Sequence, residues 1–147
     1  MKTPISALLA KKGTIVHCVP STATAQEAVA VMNERRIGCV VVREAGRIAG
    51  VFTERDVLTR VVAAGLDPVT TPVSAVMSAQ PLIVDPSLTI DKAMALISER
   101  RMRHLPVVED GRLLGLVSIG DLNQWLVENL RFEADSLRTY VSGNYPG

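Results

Sequence analysis

The chain contains a long internal repeat. A segment of 38 residues that begins at Val19 aligns without a gap with a second segment that begins at Val84, an offset of 65 residues. About a third of the aligned positions are identical, which is the self-similarity at a fixed spacing that marks repeat architectures. Because each copy of such a repeat is one supersecondary unit that buries its apolar face on its neighbour, the sequence predicts two equivalent units that share a core.

Local signals within each copy predict the order β-α-β-β-α. Thr24 followed by Glu27 has the pattern of a capping box, and Thr89 marks the corresponding helix start in the second copy. The runs "CVVV" and "LPVV" predict strands, and the turns "EAGR" and "EDGR" supply the glycine of a tight hairpin. The predicted fold class is therefore α+β, with two β-α-β-β-α repeats packed sheet against sheet with pseudo-two-fold symmetry.

The repeat also sets the predicted domain boundaries. The first unit with its N-terminal lead-in covers 1–65, a proline-containing linker with one short helical turn covers 66–78, the second unit covers 79–130, and a C-terminal helix extension and tail covers 131–147. A unit of about 55–60 residues hides only a modest fraction of its surface when it is alone, so we expect the two units to depend on each other.

Two short phrases keep a glycine, a hydroxyl residue and an aspartate at the same spacing: "GVFTERD" at 50–56 and "GLVSIGD" at 115–121. One interpretation is structural, with a hydroxyl as the helix N-cap and the aspartate as its partner in a capping box. The other is a ligand site, because a carboxylate can accept both hydroxyls of a ribose and a helix start attracts phosphate. We favour the ligand interpretation, since two such groups facing one cleft are harder to explain as caps alone, and we keep capping as a secondary role for the hydroxyls.

Charge and composition exclude several classes of protein. Sixteen Lys and Arg against fifteen Asp and Glu leave a net charge of +1, which argues against phosphate-driven nucleic-acid binding and against a polybasic membrane anchor. No apolar run approaches the roughly 18–20 residues of a spanning helix, and we expect a cytoplasmic protein. No metal-ligand spacing is present, and Cys18 and Cys39 are expected to be small buried hydrophobes.

These features together resemble the tandem CBS-domain pair, or Bateman module, over nearly the whole chain. The resemblance rests on the gapless repeat, on "RIGCVVV" and "RMRHLPVV" before an acidic-glycine hairpin, and on the G-h-x-T/S-x-x-D phrase in both copies. It implies a stand-alone regulatory, signal-transduction and energy-sensing module that binds AMP, ADP, ATP, NAD or S-adenosylmethionine between its units, forms a homodimer shaped as a flat disk, and acts on an unknown downstream protein without being an enzyme. The alternative hypothesis is a structural or dimerisation module with no physiological ligand.

The resemblance also assigns two candidate sites, residue by residue. The Asp121 site would use Ser118, Gly120, Arg103 and His104 from the second unit and Lys12, Thr14, Ile15, His17, Ile37, Gly38 and Cys39 from the first. The Asp56 site would use Thr53, Glu54 and Arg55 with Met77, Ala79, Gln80 and Leu82. Because only five residues are aromatic, the adenine would rest between aliphatic side chains such as Ile37 and Met102, with anions near Arg55, Arg103 and His104.

Structural roles are the alternative or the preferred interpretation for several other residues. A satisfied core or rim histidine is an equal alternative for His104. Four arginines are expected to complement the dipoles at helix ends: Arg35, Arg36, Arg100 and Arg101. The helix that continues past Leu122 is a candidate interface under either hypothesis, through Trp125, Leu126, Leu130, Phe132 and Leu137.

Overall fold

The computed structural model describes the backbone of residues 2–141 and the side chains of residues 2–130 and of Leu137. It confirms the predicted α+β class and the two repeats of strands and helices. The elements follow in the order α1 (Ile5–Lys12), β1 (Cys18–Pro20), α2 (Ala25–Arg35), β2 (Cys39–Glu44), β3 (Arg47–Thr53), α3 (Glu54–Asp56), a π-helical segment (Val57–Val62), α4 (Val73–Val76), β4 (Ser78–Ala79), α5 (Ile90–Arg100), β5 (His104–Glu109), β6 (Arg112–Ser118) and α6 (Ile119–Val141).

Both halves contain the same hairpin. β2 pairs antiparallel with β3 and β5 with β6, and each ladder carries an irregularity at the corresponding place, after Val42 and after Val107. Both central residues of each turn, 45–46 and 110–111, have φ between 51° and 77°. Two positive φ angles are the signature of the type I′ turn, whose twist matches that of the flanking strands. The two predicted hairpins are therefore confirmed.

The halves differ at the first strand of each copy. β1 pairs in parallel with β2, whereas the second half keeps only an isolated bridge between Val84 and Val107. Pro106 stands where β2 has Val41, and the Val41 N–H donates to the His17 carbonyl at 3.1 Å. Because proline has no N–H to donate, the second half loses this ladder bond. The predicted β-α-β-β-α order thus holds with one strand shortened to a bridge.

The lead-in segment that precedes each half packs in the core of the other half, so the two lead-ins are exchanged. Ile5, Leu8 and Leu9 of α1 are buried in the core of the second half. Val73 and Val76 of α4 are buried in the core of the first half. Each lead-in helix therefore completes the core of the other copy, although the predicted boundary at residue 65 groups α1 with the first unit by chain order.

The glycine of each repeated phrase makes room for this exchange. A Cβ at Gly115 would lie 2.7 Å from the side chain of Leu9. A Cβ at Gly50 would lie 2.6 Å from the carbonyl oxygen of Ser78 and 2.8 Å from the sulfur of Met77. Real Cβ contacts are not this short, so a side chain at Gly50 would collide with the backbone of the opposite lead-in, whereas one at Gly115 would displace the Leu9 side chain.

The two sheets face each other through a small apolar cluster. Cys39, Val41 and Val51 are buried there, with Leu113 and Leu116 of the other half packed against them. The predicted burial of Cys39 is confirmed, but that of Cys18 is wrong, since Cys18 is exposed. β1 alternates exposed, buried and exposed residues, so only its middle residue faces the core.

The four helix-end arginines lie where the sequence placed them. Arg35 and Arg100 end α2 and α5, and Arg36 and Arg101 follow as C-caps with left-handed backbone at φ 55° and 53°. All four are exposed, which fits a role at the negative end of the helix dipole.

Candidate ligand-binding site

Asp56 and Asp121 close capping boxes at the starts of α3 and α6. The Thr53 N–H donates to Oδ2 of Asp56 at 3.0 Å, and the Asp56 N–H donates to Oγ of Thr53 at 3.2 Å. For Ser118 and Asp121 the corresponding distances are 2.8 and 3.1 Å. Each box satisfies backbone donors that the helix leaves unpaired. The capping interpretation is confirmed in both copies.

Asp56 has further partners in a buried setting. Its exposed fraction is 5%, and the hydroxyl of Ser78 donates to Oδ1 and Oδ2 at 3.1 and 3.2 Å. Nε of Arg60, one turn along the π-helical segment, lies 3.4 Å from Oδ1. Arg60 also donates from Nη1 to the Met77 carbonyl at 3.1 Å. The carboxylate is therefore held both by its own helix and by the second lead-in.

Asp121 has a charged partner instead. Nζ of Lys12 donates to Oδ2 of Asp121 at 2.6 Å and to the carbonyl of Leu116 at 2.5 Å. The two side chains are partly exposed, Lys12 at 37% and Asp121 at 21%. The donor again comes from the lead-in of the other copy, but it is an ammonium rather than a hydroxyl.

The ion pair decides the protonation of Asp121. Burial alone would raise the pKa of this carboxyl, but the hydrogen bond and charge of Lys12 and the bonds from Ser118 outweigh burial, and the pKa is lowered. Asp121 is accordingly ionised at neutral pH and available as an acceptor.

Lys12 and Asp121 share a cleft of about 190 Å³ with residues of α1 and α6. Lys11 forms an ion pair with Glu128 on this rim, and its Nζ lies 5.8 Å from the centre of the Trp125 ring. Two consecutive lysines at the end of α1 thus fasten the N-terminal helix to α6.

Arg55 and Arg103 lie in a second, larger cleft of about 450 Å³. Residues from both halves meet here, because Arg55 belongs to α3 and the remaining lining residues belong to the second half. Arg101, which the sequence assigned only to a helix end, joins the other two arginines. The rest of the lining is Met94, Ile97, Ser98, Met102, Ile119 and Leu122. The structure therefore brings Arg55, Met102 and Arg103 together, in a cleft distinct from that of Lys12 and Asp121.

A family model described as the CBS domain matches residues 13–63 and 73–128. The chain belongs to the CBS-domain family. Among its relatives, the mitochondrial CBS domain-containing protein CBSX3 of Arabidopsis thaliana is 34% identical over 127 residues, which cover 83% of this chain and 62% of that protein. The CBS domain-containing protein YhcV of Bacillus subtilis is 37% identical over 109 residues, or 74% of this chain and 77% of YhcV. The chain thus spans less than two thirds of the first relative's length.

Solved CBS structures share the fold. A protein with CBS domains from Burkholderia ambifaria superposes with a TM-score of 0.82 at 36% identity, over 86% of this chain and 95% of that chain. The CBS domain protein PAE2072 of Pyrobaculum aerophilum, complexed with AMP, superposes with a TM-score of 0.70 at 30% identity, over 80% of this chain and 88% of that chain. The recognised family and fold are therefore confirmed.

In this CBS pair, Cys39 and His104 occupy equivalent strand positions with opposite properties. Burial, followed by the charge of Asp56, raises the pKa of the Cys39 thiol to about 12. Burial also lowers the pKa of His104, together with the charges of Lys12 and Arg103 and against those of Asp121 and Glu54. Nδ1 of His104 is buried without a hydrogen-bond partner in the described part of the chain. His104 is thus a neutral, incompletely satisfied group rather than a satisfied core histidine.

The other predicted site residues lie on several elements. Ile37 packs against the first core and Met102 against the second. Glu54 lies over Gly38, where an added Cβ would be 2.9 Å from its Oε1. The remaining positions are exposed or half-buried on the lead-ins and at the start of α6: Thr14, Ile15, His17, Met77, Ala79, Gln80, Leu82 and Gly120.

Sequence reasoning did not select two side chains that bind Asp56. Arg60 follows Asp56 by four residues, an ordinary ion-pair spacing on a helix, so that signal was available. Ser78 aligns with Gly13 in the repeat, and no repeated pattern marked it.

Two kinds of feature are absent from the described residues. Among residues 2–141, no helix is both long and apolar enough to cross a membrane. The side chains that the structure describes include no group of three or more His, Cys, Asp and Glu residues able to hold a metal ion.

Proposed function

We propose that this CBS pair is a regulatory module that binds an adenosine nucleotide, with Asp56 and Asp121 as acceptors for the ribose hydroxyls. One observation carries the proposal. Each aspartate closes its helix cap and, in addition, accepts a hydrogen bond from a side chain of the opposite lead-in, Ser78 for Asp56 and Lys12 for Asp121. These second donors are not required by the cap, so a ligand can replace them.

A ribose diol has the chemistry to do so. Its two hydroxyls supply two O–H donors, and the donors from Lys12 Nζ and the Ser118 N–H both use the same oxygen of Asp121, Oδ2. Hydrogen bonds to a charged carboxylate contribute roughly 1.5–3 kcal/mol each. Two equivalent groups of this kind, one per copy, favour up to two ribosyl ligands per chain.

The arginine cleft suits the rest of a nucleotide. Its volume of about 450 Å³ falls within the range of about 300–1,000 Å³ that is usual for small-molecule sites. Arg55, Arg101 and Arg103 form no ion pair with any described side chain, and a guanidinium fork matches phosphate geometry. The aliphatic floor would contact the base, because no aromatic residue lines this cleft.

The AMP complex of the Pyrobaculum aerophilum protein supports the ligand class. AMP, ADP, ATP, NAD and S-adenosylmethionine share the adenosine group that the two aspartates would hold. The proposed action is regulatory and not catalytic. Ligand would favour one arrangement of the two halves and so change the surface offered to a downstream partner.

Calorimetry with adenosine, AMP, ATP, NAD and S-adenosylmethionine tests the proposal. The double variant Asp56→Ala with Asp121→Ala is expected to lose roughly tenfold or more in affinity. Glu34→Ala with Glu99→Ala is the matched control, since these exposed carboxylates also occupy equivalent repeat positions. Absence of binding by the wild type, or equal binding by the aspartate variant in its folded form, contradicts the proposal.

Assembly through a second copy is a second candidate function, favoured by an apolar surface on the first half. Leu58, Val62, Leu66 and Val69 are exposed by 64%, 65%, 44% and 57%, and a cleft of about 380 Å³ lies beside them between α2 and the π-helical segment. On α6, Trp125 and Leu126 pack against the second core, whereas Leu130 and Leu137 are exposed. The Phe132 side chain lies outside the described residues.

Sedimentation tests this assembly. We expect a homodimer that Leu58→Glu with Val62→Glu dissociates. Ile83→Glu is the control, since Ile83 is a 50% exposed aliphatic residue outside this surface. A monomeric wild type, or dissociation by both variants alike, contradicts assembly through this surface.

A further inference from the structure

We infer that Lys12 makes the Asp121 site selective for ribosyl ligands that carry an anion, because its ammonium occupies the site until a ligand phosphate offers it a new partner. The inference rests on the proposed function and specifies the ligand class that one of the two sites accepts. It assigns Lys12 as a specificity-determining residue, and it gives the Asp56 site no such selectivity.

The ammonium of Lys12 lies against the carboxylate that a ribose would use. Lys12 donates to Oδ2 of Asp121 and to the Leu116 carbonyl, and Oδ2 also accepts the Ser118 N–H. A diol that uses both carboxylate oxygens must therefore compete with Lys12 at Oδ2. Lys12 can move, since 37% of its side chain is exposed and α1 ends at this residue.

Displacement of the Lys12 ammonium from Asp121 has a different free-energy cost for uncharged and for anionic ligands. An uncharged ligand would replace the ammonium and leave it without its counter-charge at the edge of a partly buried site, where an unpaired charge is unfavourable. A ligand phosphate removes this penalty, because Lys12 exchanges one anion for another. An uncharged nucleoside has no anionic group with which the displaced Lys12 could pair.

The Asp56 site has no lysine at the position equivalent to Lys12. The repeat places Met77 where the first lead-in has Lys12, and the lead-in donor to Asp56 is the neutral hydroxyl of Ser78. The cation beside Asp56 is Arg60, which comes from the π-helical segment and also donates to the Met77 carbonyl, so a ligand that replaces Ser78 leaves it in place. Replacing one hydroxyl by another changes no charge. The two sites thus have the same carboxylate and cap but a different requirement for ligand charge.

Arg103 is a second cation in the surroundings of Lys12. Lys12 and Arg103 both act on His104 electrostatically, with Glu54 and Asp121 as the opposing carboxylates. The charges are thus balanced, and the pairing of Lys12 with a ligand anion, rather than a surplus of positive charge, is what would select the ligand.

The test compares AMP with adenosine by calorimetry in the full chain. Lys12→Met introduces the side chain found at the equivalent position of the other copy, and Lys12→Gln is a second variant. Lys11→Met is the matched control, because it removes a neighbouring charge that pairs with Glu128 instead. The wild type is expected to bind AMP more tightly than adenosine, and Lys12→Met and Lys12→Gln to reduce that ratio roughly tenfold.

Two further comparisons separate the possible failures. In Asp121→Asn, which removes the carboxylate charge, Lys12→Met is expected to change the AMP to adenosine ratio less than in the wild type. If Lys12→Met keeps the wild-type ratio while both ligands bind, Lys12 is not the selector and the proposed function stands. If the wild type binds neither ligand, the proposed function fails and this inference fails with it.

Discussion

Asp56 and Asp121 occupy the same place in two copies of one phrase, yet their surroundings differ. Both close a capping box. Asp56 is then enclosed by the neutral hydroxyl of Ser78 and by Arg60, whereas Asp121 is partly exposed and paired with Lys12. The difference comes from the lead-ins, which cross to the opposite half, and from Arg60 in the π-helical segment, and not from the phrase itself.

This difference separates a structural carboxylate from a more accessible one. A buried carboxylate with several donors is part of the fold, because its removal leaves those donors unsatisfied. A partly exposed ion pair contributes little to stability. The first copy therefore relies more on its aspartate for folding than the second does, and the second can exchange one charged partner for another.

The largest expected effect is on folding stability. Asp56→Ala removes the cap, takes the acceptor from the half-buried Ser78 hydroxyl and removes the ion pair with Arg60, so we expect a loss of about 3 kcal/mol in the free energy of unfolding. Asp121→Ala removes a similar cap but only an exposed ion pair, and we expect a loss of about 1 kcal/mol. Urea unfolding without ligand measures both values.

The exposed pair Glu34→Ala and Glu99→Ala is the control, with changes expected within about 0.5 kcal/mol. Equal losses for the two aspartate variants would show that the two copies are energetically alike. Asp56 would then contribute no more to folding stability than Asp121 does.

A smaller effect is expected from His104, which stands where the first copy has Cys39. Because the native pKa of His104 is lowered, mainly by burial, the unfolded chain binds a proton more readily than the native one. Stability contributed by the neutral ring is therefore present above the unfolded pKa of about 6.5 and is lost as the pH falls below it. Unfolding free energies at pH 7.5, 6.5 and 5.5 should fall more steeply for the wild type than for His104→Gln.

Parallel pH profiles for the two proteins would contradict this assignment. Cys39 cannot add to the effect, since the pKa of its thiol is about 12 and it does not titrate in this range.

The features that sequence predicted well are local ones. The helix caps at Thr53 and Ser118 and the type I′ turns depend on a few neighbouring residues, and the repeat showed each signal twice. The family and fold followed from the same repeated signals. Local chemistry of this kind does not depend on which distant segments pack together.

The features that sequence did not predict depend on which segments meet. Nothing in "ISALLA" indicates that α1 packs on the second core. The sequence therefore could not show which side chains donate hydrogen bonds to each aspartate. Ser78 aligns with a glycine and has no counterpart to mark it. Cys18 has apolar neighbours on both sides, so its sequence could not indicate which residues of β1 face the core.

The smallest expected effect is on the acid titration of Asp121. Lys12 is the main group that opposes burial at this carboxyl, so Lys12→Met should raise the pKa of Asp121. In the wild type, the stability from this carboxylate is present above the unfolded pKa of about 3.9 and is lost as the pH falls through the lower native pKa. Without Lys12 that loss should be smaller and should be complete at a higher pH. Carboxyl carbon NMR of Asp121 measures the midpoint directly, with Lys11→Met expected to leave it close to the wild-type value. An unchanged midpoint in Lys12→Met would mean that Ser118 and the cap alone keep Asp121 ionised, and the two copies would then differ in burial but not in charge.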